Sequence, residues 1–362
     1  MDTSAIQVAV AALVVVLIAL YRRKWPKRHK HERFTLPNGE EIYHISKAES
    51  ELLYRELFDG QCYRLPQGHP DQDWMTIELA PHDTVVDVGA NIGLFALWAK
   101  WHPSTKAKVR VLSFECVPST FAVLEKNATL HSTAACRLES FPVGLSDAER
   151  SATVLHHVNF SIWSSGKAEM DEARGRMLQD NVAHLARRVA QREALPAPVR
   201  WVLSTAPMQA LINWGGRRAL SNLNETAEVA CRFRRLSDVV FGEAGVGEVA
   251  LLKVDVEGAE LDVLRGIDAV HWSRIKQVAM ECEDAALTRK VTALLELHGF
   301  AVRSWVSEDM AELLPSSQVH QLLAKRTQLT ASSPKHAEGP PEASRSHVRT
   351  SRSPPRTSRK AR

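Results

Sequence analysis

The run Val85-Val86-Asp87-Val88-Gly89-Ala90-Asn91-Ile92-Gly93 constrains the fold more than any other part of this chain. The β-branched stretch Thr84–Val88 predicts a buried strand. It passes at once into a turn containing Gly89, and Ile92–Lys100 reads as a helix. Gly89 lets the backbone turn tightly, and Gly93 lets the helix approach the strand or a ligand. The helix N-terminus is expected to leave free N–H groups pointing into a crevice at the carboxyl edge of a parallel sheet. The pattern is not G-x-G-x-x-G, because two glycines stand four apart and an acid precedes them.

The rest of the body repeats this rhythm. Phe34–Leu36 and Ile42–His44 flank Pro37-Asn38-Gly39, a hairpin signal, and Glu49–Phe58 is helical by the spacing of Leu52, Leu53, Leu57 and Phe58. Strands are predicted at Val109–Phe114, Leu138–Val143, Val249–Val254, Ile275–Met280 and Phe300–Trp305. Helices are predicted at Ser119–Leu130, Leu261–Ile267 and Ala285–Leu297. Strands alternating with helices mean a doubly wound α/β fold with helices on both faces of a parallel sheet. Residues 166–226 interrupt the alternation; their apolar spacing predicts one or two helices ending near Leu195-Pro196-Ala197-Pro198, as a substrate wall or as packing.

Both ends differ from the body. The chain has 362 residues and a net charge of +4, but residues 1–33 contribute +5 and residues 331–362 contribute +6. Residues 34–330 therefore carry −7, so the basic balance is no argument for nucleic-acid binding by the body. Residues 4–21 are almost wholly apolar and at 1.5 Å per residue reach about 27 Å, enough to cross a bilayer core. A basic linker, 22–33, follows. The positive-inside rule then puts the body on the cytoplasmic side of a single-pass anchor. The Ser/Arg/Pro-rich tail 332–362 has too few apolar residues to form a core and is expected to be disordered. Cysteines 62, 116, 136, 231 and 282 include no C-x-x-C pair, so neither a disulfide scaffold nor a zinc site is indicated.

Acids recur at the predicted strand ends. Glu115 ends the second strand of the alternation, where a carboxylate accepts both hydroxyls of a ribose. That serves a dinucleotide and S-adenosylmethionine (SAM) alike. Asp87 favours SAM, whose ammonium a carboxylate would hold and whose structure has no pyrophosphate for it to repel. Asp255 and Glu257 follow a strand broken only by Lys253. Glu281 and Glu283 end the next strand and share a face by period-two alternation. These four acids suit either a base for a hydroxyl or a hard cation, and their spacing does not choose; no metal site is assigned.

Several runs together resemble the FkbM family of SAM-dependent methyltransferases. They are Leu36-Pro37-Asn38-Gly39, Leu53-Tyr54-Arg55-Glu56-Leu57-Phe58, Val86-Asp87-Val88-Gly89-Ala90-Asn91-Ile92-Gly93-Leu94, Phe114-Glu115-Cys116-Val117-Pro118, Gly144-Leu145-Ser146-Asp147 and Leu252-Lys253-Val254-Asp255-Val256-Glu257-Gly258-Ala259-Glu260. The resemblance spans roughly 34–325. It implies a class I methyltransferase, Rossmann-like, with a mostly parallel seven-stranded sheet in a domain at 81–325, preceded by a hairpin and helix at 34–80. It implies SAM on Asp87, Gly89, Ala90, Asn91, Gly93 and Glu115, with Ser146 and Asp147 near the adenine. It suggests O-methylation of a small-molecule hydroxyl on a sugar, lipid-linked or polyketide-like acceptor. Two departures stand out: the family's usual Glu-Pro is here Glu115-Cys116-Val117-Pro118, and the 166–226 insertion is long.

The expected chemistry is direct methyl transfer, with Asp255 or Glu257 as base and Glu281 or Glu283 in support. The alternative outside enzymes is a membrane-tethered interaction protein that keeps the fold without turnover. No nucleic-acid partner is expected, since the body is acidic and lacks an aromatic–basic stripe.

Overall fold

In the computed structural model, Thr84–Val88 and Leu251–Val254 lie side by side at the centre, where Val85, Val86, Leu251, Leu252 and Val254 have no solvent exposure. The structure describes residues 32–59, 63–157, 197–211, 214, 226–306 and 319–327. The expected anchor 4–21, nearly all of the basic linker, the tail 332–362 and most of the 166–226 insertion lie outside the described residues. Among the described residues no helix is long and apolar enough to cross a membrane.

In chain order the strands begin with a hairpin, β1 (Arg33–Thr35) and β2 (Glu41–Tyr43). There follow β3 (Thr84–Val88), β4 (Arg110–Phe114), β5 (Arg137–Phe141), β6 (Gly144–Ser146), β7 (Arg150–His157) and β8 (Thr226–Arg235). The last four are β9 (Leu251–Val254), β10 (Gln277–Cys282), β11 (Phe300–Val306) and β12 (His320–Arg326). The helices are α1 (Lys47–Tyr54), α2 (Leu94–Trp101), α3 (Pro118–His131), α4 (Ala197–Ser204), α5 (Glu260–Arg265) and α6 (Ala285–Leu297).

Seven strands form the main sheet in the order β11-β12-β10-β9-β3-β4-β5. Strands β10, β9, β3, β4 and β5 run parallel, and β12 runs antiparallel to both of its neighbours. The sheet is therefore mostly parallel, as expected. Alternation sorts its side chains into two cores. Val86, Leu112, Leu252 and Met280 pack on one face with Val263, Leu264, Val291 and Leu295 of α5 and α6. Val85, Val111, Leu251 and Ala279 pack on the other with Leu94, Phe95 and Leu97 of α2 and Val123 of α3.

Four features depart from the sequence reading. No element is assigned to His320–Arg326 by sequence, because it has no β-branched residue; pairing with β10 and β11 on its two sides makes it a strand. A second sheet, β6-β8-β7, also has no counterpart in that reading. The helices of the insertion are expected to end near Pro198, yet α4 begins at Ala197, because proline is tolerated in a first helical turn. The helix expected over Glu49–Phe58 is α-helical to Tyr54 and continues as a π-turn over Arg55–Asp59.

Asn127 of α3 joins the N-terminal hairpin to the sheet layer. It is 1% exposed. Its Oδ1 accepts from Tyr43 N at 2.7 Å, and its Nδ2 donates to Tyr43 O at 3.0 Å and to Ile92 O at 2.8 Å. Replacing it with leucine orphans three backbone groups. Asn127→Leu is expected to lower the unfolding free energy by about 2–4 kcal/mol, read as a lower urea midpoint at unchanged m.

Candidate active site

The carboxyl ends of β3, β4, β9 and β10 meet on one edge of the sheet. Gly89 leaves β3 at φ +76°, and a Cβ placed there would lie 1.8 Å from Asp255 O, so the two strand exits touch backbone to backbone. Asp255 N in turn donates to Val88 O at 3.1 Å. Only glycine permits both the backbone angle and the approach.

The amides of the turn are already satisfied. Gly89 N and Ala90 N donate to Phe114 O at 3.1 and 2.9 Å, and Gly93 N donates to Ala90 O at 2.8 Å. Asn91 N donates to Glu115 Oε2 at 3.1 Å, and Ile92 N donates to Asn91 Oδ1 at 2.6 Å. The turn that precedes α2 is therefore braced internally, and its own amides offer no cradle to a pyrophosphate.

Glu115 supplies the polar face of this turn. Its Oε1 accepts from Val117 N at 2.8 Å while Oε2 holds Asn91 N. Each oxygen keeps lone-pair capacity for a further donor. Burial pushes the Glu115 carboxyl up to about 7, against the two amide hydrogen bonds and the Lys253 charge, which pull it down.

Lys253 is the residue that sequence reasoning passed over as a break in an apolar run. Its side chain is 6% exposed, and its Nζ stands 3.2 Å from Asp87, 3.5 Å from Asp255 and 2.8 Å from Gly89 O, to which it donates. The ring of Phe95 lies 5.8 Å from the ammonium. Burial alone would push the Lys253 pKa down; Asp87 and Asp255 overrule it and hold the ammonium well above its usual value. Asp87, the residue expected to meet a cofactor ammonium, has a wholly buried side chain, and the ammonium beside it in this structure is that of Lys253. The readable signal was Lys-x-Asp on one strand beside Asp on its neighbour.

The remaining acids divide by environment. Asp255 has a side chain 32% exposed at this edge. Burial raises the Glu281 carboxyl well above its usual value, with Asp255 and Glu56 adding to the rise. Glu56 belongs to the π-turn after α1, so the N-terminal segment reaches the same edge. Glu257 sits at φ +55° in the loop before α5, and Glu283 lies just past β10. Glu260, also unpredicted, is 1% exposed and accepts from Gly258 N at 2.8 Å. Burial pushes it up to about 8. Ser146 donates to Asp147 at 3.1 Å and Asp147 pairs with Arg150 at 2.6 Å, so both serve the second sheet. Among the described residues no group of three or more His, Cys, Asp or Glu is arranged to hold a metal ion.

Lys253→Met leaves Asp87 buried without its cation and is expected to cost about 3–5 kcal/mol. Asp87→Asn with Lys253→Met removes both charges and is expected to recover most of that loss. Denaturant midpoints of the two variants check it; equal midpoints would show that Asp87 does not depend on Lys253.

Comparison with known proteins agrees with this arrangement. The Methyltransferase FkbM domain matches residues 87–314, more than half of the chain. The 31-O-demethyl-FK506 methyltransferase FkbM of Streptomyces tacrolimicus is 32% identical over 299 residues, covering 82% of this chain and 97% of that protein. Methyltransferase sdnD of Sordaria araneosa is 29% identical over 293 residues, covering 78% and 93%. A solved FkbM methyltransferase from Methylobacillus flagellatus superposes with a TM-score of 0.39 at 12% identity, over 68% of this chain and 44% of that one. A strand–turn–helix crevice braced by an acid, and a match across more than half of its length, place this chain in the FkbM family of methyltransferases.

Proposed function

We propose that this chain is a SAM-dependent O-methyltransferase acting on a hydroxyl of a sugar, lipid-linked or polyketide-like small molecule. The observation that carries the cofactor is the Glu115 carboxylate, fixed at the β4 exit beside a turn whose amides are all engaged. Recognition at this turn falls to a carboxylate that can accept hydroxyls, which suits the ribose of SAM and disfavours a dinucleotide's pyrophosphate. When bound, SAM supplies an electrophilic methyl on its sulfonium. The family's Streptomyces relative is named for an O-demethyl substrate, which supports oxygen as the acceptor atom.

The chain's own residues then have separate tasks. Glu115 holds the ribose, and Gly89 lets the β3 exit close against Asp255. Asp255, tethered by Lys253 yet partly exposed, orients the acceptor hydroxyl and takes its proton as the methyl leaves sulfur for oxygen. Glu281, whose burial beside Asp255 and Glu56 raises its carboxyl above the usual range, stands in support of Asp255 at the same edge. The apolar run 4–21 and the basic residues after it support a membrane tether with the body on the cytoplasmic side.

Calorimetry of SAM binding to the full chain tests the cofactor. Ribose hydroxyls need Glu115 ionised, and the free protein holds that proton up to about pH 7. Binding at pH 6 is therefore expected to release close to one proton, seen by comparing buffers of different ionisation enthalpy. Affinity is expected to fall by up to about tenfold per unit below pH 7. In the free protein the sign is opposite: Glu115 favours folding at low pH, and that contribution fades as pH rises from 4.5 towards 7. No SAM binding by the folded chain would remove the methyltransferase reading.

Asp255→Asn separates acceptor from cofactor. Turnover is expected to fall by about 10²–10⁴ while SAM affinity stays within about threefold. Loss of SAM affinity would instead assign Asp255 to the cofactor's ammonium.

A further inference from the structure

Cys116 follows Glu115 at the position where the family resemblance leads one to expect proline. Its neighbours come from the second sheet. A Cβ built on Gly144 of β6 would meet the Phe233 ring at 2.5 Å and Cys116 Cβ at 3.3 Å. Gly144 pairs with Phe233 of β8, so Cys116 lies over that pairing. Cys231 is two residues before Phe233 on the same strand and shares its face. Cys116, Cys231, Val117, Val154, Val229 and Phe233 form one apolar cluster, and within it the two thiols are neighbours that act on each other.

The two sulfurs are chemically unequal. Both are free thiols; Cys231 is buried and Cys116 is half-buried. Contact with Cys116 lowers the Cys231 thiol below its usual value, while the same contact, burial and the neighbouring Glu115 raise Cys116. The thiolate is the attacking form in disulfide chemistry, so the lowered Cys231 is the sulfur favoured to attack.

We propose that Cys116 and Cys231 form a reversible, peroxide-sensitive disulfide that controls the Glu115 end of the cofactor crevice. Hydrogen peroxide takes two electrons from one sulfur, giving a sulfenic acid and one water. The second thiol attacks that sulfur, the S–S bond forms, and the hydroxyl leaves with the thiol proton as a second water. Two thiols and one peroxide thus become one disulfide and two waters, and a dithiol reverses the reaction by exchange.

The consequence for the cofactor rests on Glu115 being its ribose ligand. The two sulfurs must close to about 2.05 Å in a disulfide. Cys116 lies inside the turn in which Glu115 Oε1 accepts from Val117 N at 2.8 Å, so the closing movement is transmitted to that carboxylate.

The test uses the reduced full chain, which has five cysteines. After stoichiometric hydrogen peroxide, the thiol count in denaturant is expected to fall to about three, with peptide mapping joining Cys116 to Cys231 within one chain. Dithiothreitol restores the count, and Cys231→Ser abolishes the link. SAM affinity of the oxidised chain is expected to be weaker by at least about tenfold. An unchanged thiol count, a sulfinic acid on Cys116 with Cys231 still reduced, or a link through another cysteine overturns the disulfide. A formed link with unchanged SAM affinity overturns its control of the crevice. Absence of SAM binding by the reduced, folded chain strikes the cofactor reading itself, while the thiol count still decides the disulfide.

Discussion

One buried ammonium holds the carboxyl edge of the sheet together. Lys253 reaches Asp87 on the adjacent strand, Asp255 beyond its own strand and the carbonyl of Gly89 in the turn. No other described side chain ties β3, β9 and the turn in this way. A cation so placed is costly to bury, and the two carboxylates offset that cost only because the strand register holds them within 3.5 Å. The same pairing fixes the backbone contact between Gly89 and Asp255, which leaves no room for a side chain at 89. The turn, the partly exposed carboxylate and the parallel register therefore depend on one another.

Around this centre the carboxyl groups take different tasks according to burial and partners. Asp87 is enclosed and structural. Glu115 is braced at the β4 exit by two backbone amides, one from the glycine turn and one from its own loop. Glu260 draws the Gly258 amide inward and stiffens the loop that follows Asp255. Glu281 is raised by burial first, then by Asp255 and by Glu56 from the N-terminal segment. A set of acids that looks uniform in sequence is thus divided by burial and by hydrogen-bond partner.

Much of the framework was legible in the residues. Thr84–Val88 and Ala285–Leu297 lie where periodicity puts them, because a β-branched run and an amphipathic stretch each carry their own signal. His320–Arg326 carried none, and became a strand only by completing hydrogen bonds on both sides. Ser146 and Asp147 followed the resemblance towards the adenine, yet their partners are each other and Arg150 in a second sheet that local sequence did not announce. Lys253 was visible as a residue but not as a site, since its partner Asp87 is remote in sequence.

The sequence by itself determined the alternation of strand and helix, the glycine turn after the first central strand, the acids at the strand exits and the family to which they point. These are local properties, set by side-chain periodicity and by the backbone angles that glycine alone adopts freely. Tertiary structure decided which acids face the crevice, which are locked to Lys253, that the turn's amides are used internally, and that Cys116 meets Cys231. Those outcomes depend on parallel register and layer packing between segments more than a hundred residues apart, as between Glu115 and Cys231. Desolvation and hydrogen-bond partnership, which set the role of an ionisable group, exist only once such segments meet.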